Sequence, residues 1–357
     1  MKPEVKLMLE HLNSTQENLS ALLDRADQLI AKLDHIGIHE ATSLYFIGNG
    51  SSGEDAVIAA NLAVKLLNKL PHCCTPYAFT HGLSEVLKPG DIVVAISQTG
   101  TSHEVVESLR LAKKKQAVTI ALSATDHSPV MAEAAIPLLL PECVELVDYK
   151  VTGVLGLLYG LWIVILALAY HNRKLTKTDL DQNLNEIKHL NAQYDDLVKT
   201  TAIWVQSHLD RFDKAKTLTV LGSGDLAETA SEFAIKAIEV ENRFCVAVDT
   251  EEFLHGVCAA NPVDNLIIML VDTRSSAYSR KVYDAIVSRG QNVLWIGQDA
   301  PKEGLRLELI PSQTYSTALM FPVVHACIIT WAMLKDYGDH GAEVFADYQK
   351  KLHVRET

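Results

Sequence analysis

The chain has 357 residues, 48% hydrophobic and 21% charged, with a formal net charge of -12. That length accommodates two domains with separate cores, and the composition excludes an intrinsically disordered chain. Lys113-Lys114-Lys115 is the one basic cluster, so no nucleic-acid partner is expected, since backbone binding depends on clustered cations.

Residues 3–36 read as one or two amphipathic helices, with Leu19, Leu22, Leu23, Leu29, Ile30 and Leu33 at helical spacing. An apolar run, Leu44 to Ile47, leads into the turn Gly48-Asn49-Gly50-Ser51-Ser52-Gly53 and a helix over 56–70. A short strand over 73–77, a strand over 92–96, a helix over 104–115 and a strand over 118–122 follow. Short apolar runs alternating with helix-length segments predict a parallel α/β sheet covered by helices. From Val151 to Tyr170 no residue is charged, which is long enough to span a bilayer. Soluble-type patterns continue on both sides of it, so a helix buried in the core or in a subunit interface is expected, and no membrane partner.

The pattern then repeats. Leu218 to Leu221 precede Gly222-Ser223-Gly224-Asp225 and a helix through Glu239; apolar runs follow at 245–248, 266–271 and 293–296, with a helix around 278–289. The apolar segment near 318–334 echoes 151–170, and Gly48 aligns with Gly222 at an offset of 174 residues. This is a duplication of two α/β domains rather than a short solenoid repeat. The expected division is an N-terminal helical segment (1–40), a first domain (41–173), a helical linker (174–214), a second domain (215–338) and a C-terminal tail (339–357).

The segment Ser97-Gln98-Thr99-Gly100-Thr101-Ser102 joins a buried strand to a helix and carries four hydroxyls. Unpaired N–H groups and the positive end of the helix dipole favour an anion there, and hydroxyls add neutral donors. One such residue suffices to cap a helix, so four point to a phosphate monoester. The second half has Asp272-Thr273-Arg274-Ser275-Ser276 in the equivalent place. Asp272 would repel a phosphate, which Arg274 could offset, and the main phosphate site is expected in the first half only.

Gly48-x-Gly50-x-x-Gly53 matches the dinucleotide fingerprint, and Gly222-x-Gly224-x-x-Ala227 its looser form. The acid that would hold a ribose is missing after the first half's second strand, where Pro76-Tyr77 stands, but Asp249 supplies it in the second half. A sharp strand-to-helix turn needs such glycines without any ligand, and dinucleotide binding leaves the 97–102 loop unexplained. The six cysteines have no C-x-x-C spacing, so neither a zinc site nor a disulfide framework nor any other cofactor is expected. Met1 to Leu12 is charged and lacks a signal-peptide core, which predicts a cytoplasmic protein.

These residues resemble the tandem SIS (sugar isomerase) domain family. The chain is similar to the isomerase half of glucosamine-6-phosphate synthase and to deaminases and deglycases of amino-sugar phosphates. The likeness runs from about Leu44 onward. It rests on the Gly48–Ser52 turn, the 97–102 loop, Glu232-x-x-x-Lys236-x-x-Glu239 and Glu252-x-x-His255-Gly256. It implies two three-layer αβα domains behind N-terminal helices. It further implies that Ser97, Gln98, Thr99 and Ser102 hold a sugar phosphate with Ser51 and Ser52 nearby. Glu239 would move a proton between C1 and C2, assisted by Lys236 and His255, with His255 opening the ring. Lys351 stands where the synthase has a near-terminal lysine that reaches the open-chain sugar.

The chemistry is coherent in itself. Abstraction of a proton beside a carbonyl or imine needs a partly buried carboxylate of raised pKa, and ring opening suits a histidine. Taken alone, without the resemblance, Glu232, Lys236 and Glu239 at i, i+4 and i+7 read as a solvated helix face with one Glu–Lys pair. His81 and His103 fit structural roles as well as substrate contact. The chain departs from the family at Glu145, Asp148, Tyr149 and Lys150, ahead of the apolar helix, and at Val257 after His255-Gly256.

No cysteine lies near the start and no glutaminase domain fits, so glutamine is not expected as amine source. The expectation is an isomerase-type deaminase of an amino-sugar 6-phosphate. The alternatives are a deglycase of a sugar-phosphate–amino acid conjugate, a non-catalytic phosphosugar-binding regulator, and a dinucleotide binder. Lys236 resembles the synthase more than the deglycases, and residues 1–40 offer no basic recognition helix. The long apolar segments and the family's habit of pairing predict at least a homodimer, with Glu239 and His255 from different subunits.

Overall fold

The computed structural model describes residues 2–260, 262, 264–307, 314–336 and 342–356. The chain divides into two compact units, one of residues 14–191 with 344–357 and one of residues 1–13 with 192–343. The first is called the N-unit here and the second the C-unit.

Helices α1 (Pro3–Asp24) and α2 (Ala26–Ala31) open the chain. The N-unit then runs β1 (Leu44–Ile47), α3 (Ser51–Leu67), β2 (His72–Cys74), α4 (Pro76–Thr80), β3 (Ile92–Ile96), α5 (His103–Lys114), β4 (Val118–Ser123), α6 (Pro129–Glu133), β5 (Ile136–Leu139), α7 (Thr152–His171) and α8 (Lys177–Asn191). Its five strands are parallel, in the order β2-β1-β3-β4-β5. Every residue of β1 and β3 is buried, as in a sheet covered on both faces. Tyr45, Ile47, Val93, Ala95 and Ala121 pack against α4, α5 and α6. The alternate residues face the other way, where Leu122 lies against α7 at Gly160.

The C-unit repeats the plan with α9 (Tyr194–Lys214), β6 (Thr217–Gly222), α10 (Asp225–Glu241), β7 (Phe244–Asp249), β8 (Asn265–Val271), α11 (Ser276–Ser288), β9 (Asn292–Gly297), β10 (Leu305–Arg306) and α12 (Met320–Lys335). The strand order β7-β6-β8-β9-β10 is that of the first sheet, again all parallel. The 174-residue offset holds residue by residue here: α3 starts at Ser51 and α10 at Asp225, and left-handed C-caps end them at Asn68 and Asn242. Helix α13 (Ala342–Lys351) follows. The segment expected as a linker is shared: α8 belongs to the N-unit and α9 to the C-unit.

Three local expectations change. The strand predicted over 73–77 ends at Cys74, because Thr75 caps α4 by accepting from the Ala78 N–H (3.2 Å) and Pro76 starts that helix. The helix predicted over 56–70 is shifted to Ser51–Leu67, stopped by Asn68 at φ 54°. Strands β5 and β10 were not foreseen; β5 is an edge strand interrupted by Pro137, which mutes its pattern.

The two long apolar helical stretches, Thr152–His171 and Ser316–Lys335, are 100% and 83% buried inside the protein. α7 packs against α2, α3 and α8, and α12 against α9 and α10. Their apolar length therefore belongs to the core, and by itself it calls for neither a bilayer nor a second chain. That removes one of the two grounds on which a dimer was expected.

Candidate active site

In both sheets the first strand lies beside the third, and the chain leaves them for opposite faces of the sheet. A crevice opens at the carboxyl ends of such a strand pair, which is where open α/β sheets place ligands. In the N-unit it is flanked by the Gly48–Ser52 turn after β1 and the Ser97–Ser102 loop after β3. Gly50 has φ 54°, and a Cβ at Gly48 would stand 2.8 Å from the Ser52 backbone. At Gly222 it would stand 2.1 Å from the Leu226 carbonyl oxygen. These close approaches account for the glycine patterns through the turn itself. Asp249, the residue that kept a dinucleotide reading open, accepts the Glu251 N–H (2.8 Å) and closes a turn.

The 97–102 loop is tightly built. The Ser97 N–H donates to Leu122 O (3.1 Å), the Gly100 N–H to Ser97 O (3.1 Å), and the Val130 N–H to Gly100 O (3.0 Å). Gly100 sits at φ 68°, and a Cβ there would meet the Ser128 Oγ at 2.1 Å. Ser102 occupies the N-cap of α5 but makes no side-chain cap bond. An ordinary cap would use its hydroxyl on the helix; the Ser102 hydroxyl is not spent in that way.

The Gln98 amide is committed inward. Its Nε2 donates to Cys143 O (2.7 Å) and to Glu145 Oε2 (2.9 Å). Glu145 also accepts the N–H groups of Val151 (2.9 Å), Thr152 (3.0 Å) and Gly153 (2.8 Å). A carboxylate thus fills the N-terminus of α7, whose own N-cap residue, Val151, has no side-chain cap bond. A Cβ at Gly153 would lie 2.0 Å from Gln98 Nε2, so glycine is what lets α7 approach the loop. In this arrangement Gln98 has both amide hydrogens engaged, and its backbone N–H is the donor it can turn to a ligand.

The end of the chain joins the rim of the loop. Arg355 bridges Ser102 in antiparallel fashion, the His103 N–H donates to Val354 O (3.0 Å), and the Glu356 N–H donates to Thr101 O (2.6 Å). Glu356 Oε1 lies 2.6 Å from His103 Nδ1. His103 is thereby tied to the tail. Lys351, three residues before Val354, is exposed and paired with Asp347 (2.6 Å).

The C-unit's equivalent loop is filled by its own side chains. Asp272 accepts the Ser275 N–H (2.9 Å) and hydroxyl (2.8 Å) and pairs with Arg274 Nε (2.7 Å). Burial raises the Asp272 pKa, but the Ser275 bonds and the Arg274 charge outweigh it, and the carboxyl ends below its ordinary value. In this loop the hydroxyl and N–H of Ser275 are engaged by a carboxylate of the same chain.

What the C-unit offers instead lies on α10. Lys236 Nζ stands 2.8 Å from Glu239 Oε2 and 3.6 Å from Glu232 Oε1, and Glu232 Oε1 is 2.8 Å from His325 Nε2 on α12. Glu232, Lys236 and His325 are buried, while the Glu239 side chain keeps 25% of its surface exposed. The solvated-face alternative is therefore overturned: these charges point into the protein. Burial lifts the Glu239 pKa above its ordinary 4.5, the charge and hydrogen bond of Lys236 hold it partly down, and Glu232 adds to the rise. A carboxylate of raised pKa with one open side is suited to accept and return a proton.

The SIS domain family profile matches residues 37–146, which enclose both the Gly48–Ser52 turn and the Ser97–Ser102 loop. Residues 37–146 are thus similar in sequence to the SIS domain. A curated relative, glutamine–fructose-6-phosphate aminotransferase (isomerizing) of Francisella tularensis, is 23% identical over 331 residues, 88% of this chain and 51% of that protein. The chain therefore spans about half the length of that relative. Among solved structures, the C-terminal domain of glucosamine-fructose-6-phosphate aminotransferase from Francisella tularensis superposes with a TM-score of 0.81 at 19% identity, covering 93% of this chain and 96% of that one. Glucosamine-6-phosphate deaminase from Thermotoga maritima gives 0.74 at 17% identity, covering 94% and 96%. At such identities the structural likeness is one of fold.

Within the matched segment, Ser51, Ser52, Ser97, Thr99 and Ser102 all stand on the two segments that flank the β1–β3 crevice. In the C-unit, Lys236 and Glu239 are in direct contact, whereas His255 is exposed at the end of a short 3₁₀ turn, Glu252–His255. No hydrogen bond or ion pair joins His255 to Glu239 among the described residues. Sequence reasoning passed over His325. Its signal was available: a lone ionisable side chain within the apolar run Phe321 to Ala332. The capping role of Glu145 was also missed, because its partners lie six to eight residues downstream.

Proposed function

We propose that the protein is a phosphosugar isomerase-type enzyme built of two SIS domains, acting on an amino-sugar 6-phosphate with release of the amine. The N-unit loop anchors the phosphate through Ser97, Thr99, Ser102 and backbone N–H groups, with Ser51 and Ser52 at the opposite rim. Glu239 takes the C2 proton of the open-chain 2-amino aldose and delivers a proton to C1. That leaves an imine at C2, and water hydrolyses it to the ketose and ammonia. Lys236 holds Glu239 in place, and His255 serves the ring-opening proton transfer. Lys351, at the foot of the tail, is the residue proposed to reach the open-chain sugar. The reaction needs no metal or redox cofactor, since protons and water balance it.

The observation that carries this reading is the half-buried Glu239 carboxylate, of raised pKa and held at 2.8 Å by Lys236. The named activities of the two relatives above, aminotransferase (isomerizing) and deaminase, agree with its class. Further support for the two-domain form is the shared strand order and the common 174-residue register.

The same register supports a homodimer in which His255 serves the neighbouring chain. Val64 and Leu70 of the N-unit and Ile238 and Phe244 of the C-unit are repeat-equivalent, and all four are exposed large apolar residues. Exposed apolar groups at matched positions beside sheet edges suit burial by a second copy. Sedimentation of a fully active monomer would refute the dimer.

The test of function is ammonia release from glucosamine 6-phosphate by wild type and Glu239→Gln. Turnover is expected for wild type and a loss of about 10²–10⁴-fold for the variant, the usual span for removal of a general base. Ligand binding without turnover by wild type would instead identify a phosphosugar sensor.

A further inference from the structure

His325 has no assigned role, yet it is a fully buried histidine on α12. It is 1% exposed in a helix whose neighbouring residues from Phe321 to Ala332 are otherwise apolar or small. Its Nε2 lies 2.8 Å from Glu232 Oε1. Its Nδ1 has no hydrogen-bond partner among the described residues. With the proton on Nε2 the ring donates to the Glu232 carboxylate, and only a lone pair is left unpartnered at Nδ1. The opposite tautomer would bury an orphaned N–H, which folded proteins avoid.

Glu232 Oε1 is therefore shared between the His325 Nε2 donor at 2.8 Å and the Lys236 ammonium at 3.6 Å, while the same ammonium reaches Glu239 at 2.8 Å. The asymmetry matters. Two carboxylates compete for one buried cation, and the outcome depends on how well each is otherwise satisfied. The histidine satisfies Glu232, so the lysine can lean toward Glu239. The groups bearing on Glu239 are Lys236 and Glu232 from its own helix and His325 from α12.

We propose that His325 is a positioning residue: by donating to Glu232 it releases Lys236 to hold the Glu239 carboxylate. The kinetic consequence rests on Glu239 being the acid/base, as proposed above; the positioning itself does not. Without the donor on α12, Glu232 draws Lys236 to itself and Glu239 loses its hydrogen bond. Its carboxyl then keeps a proton to higher pH, and less of the enzyme carries a competent base at neutrality.

The experiment follows the Glu239 carboxyl directly, by NMR of protein with ¹³C-labelled glutamate carboxyls, its resonance assigned by its loss in Glu239→Gln. The forms compared are wild type, His325→Leu, His325→Met and His325→Gln, each checked for folding by circular dichroism. Leucine and methionine remove the donor at similar volume, whereas a glutamine amide can stand in for Nε2–H. In Leu or Met variants the Glu239 titration should move upward by about half a pH unit or more, and Gln should restore it. The acid limb of kcat/KM should move with it. An unmoved Glu239 titration in a folded donor-less variant overturns the proposal whatever the turnover. A moved and rescued titration without turnover on any amino-sugar phosphate would sustain it and count against the proposed function alone.

Discussion

The two units share a backbone plan and differ in what stands at its functional points. At the end of the third strand of each sheet, the N-unit has Ser97 to Ser102 and the C-unit has Asp272 to Ser276. The first loop leaves the Ser102 hydroxyl unused by its helix. The second spends Ser275 and Arg274 on its own carboxylate. On the helix after the first strand the contrast is reversed: α10 carries Glu232, Lys236 and Glu239 where α3 has Ile58, Leu62 and Lys65 at the 174-residue offset. The two sheets share one strand order, and the side chains at equivalent points differ: hydroxyls after β3 in the N-unit, and a buried charged cluster on α10 in the C-unit.

The largest effect that tests this contrast comes from the hydroxyls. Ser97→Ala with Ser102→Ala should raise the KM for a phosphosugar by 100-fold or more, since each hydrogen bond to a charged group contributes about 1.5–3 kcal/mol. The change at the matching helix N-cap of the C-unit, Ser275→Ala, should leave KM untouched and lower stability by about 1 kcal/mol. Steady-state kinetics and denaturant titration separate the two. A KM rise in Ser275→Ala would break the comparison.

The titration of Glu241 comes next. It ends α10 as Leu67 ends α3, buried, with neither carboxyl oxygen hydrogen-bonded among the described residues, and burial lifts its pKa to about 8. The folded state then holds a proton that the unfolded chain releases above its ordinary 4.5. Stability from this group is complete below 4.5 and falls as pH rises toward 8. Glu241→Gln should flatten that decline and stabilise the protein by roughly 2 kcal/mol at pH 8. Calorimetric melting from pH 5 to pH 8 reads it, and a parallel pH slope in wild type and variant would count against it.

The glycines give the smallest contrast. Gly100→Ala meets both a left-handed φ of 68° and the Ser128 Oγ at 2.1 Å, whereas a Cβ at Gly224, φ 59°, meets nothing within 4 Å. The first should cost about 1–3 kcal/mol more than strain at φ alone, and the second only that strain, near 1 kcal/mol. Equal losses of Tm in the two variants would mean that packing around the loop is looser than these distances imply.

The sequence made some of this legible and not the rest, for physical reasons. The βα turns were readable because glycine at a sharp turn and serine before a helix are local requirements. The duplication was readable because it preserves those requirements at one spacing, down to Asn68 and Asn242. Side-chain partners across elements were not. Gln98 pointing at Glu145, the tail pairing with Ser102, and His325 bonded to Glu232 span 47, 253 and 93 residues, and no periodicity encodes such contacts. The long apolar helices were legible as buried but not as to what buries them: length and hydropathy are the same for a core helix and for an interface helix, and only the surrounding α2, α3 and α8 decide for α7.

The claim at the centre is that the Ser97–Ser102 loop is the phosphate anchor and the Asp272–Ser276 loop is not. Isothermal titration of glucosamine 6-phosphate into Glu239→Gln isolates binding from turnover. Adding Ser97→Ala and Ser102→Ala to that protein should weaken affinity by about 100-fold, and adding Ser275→Ala should leave it unchanged. Undiminished binding in the first protein, or an equal loss in both, would contradict the account.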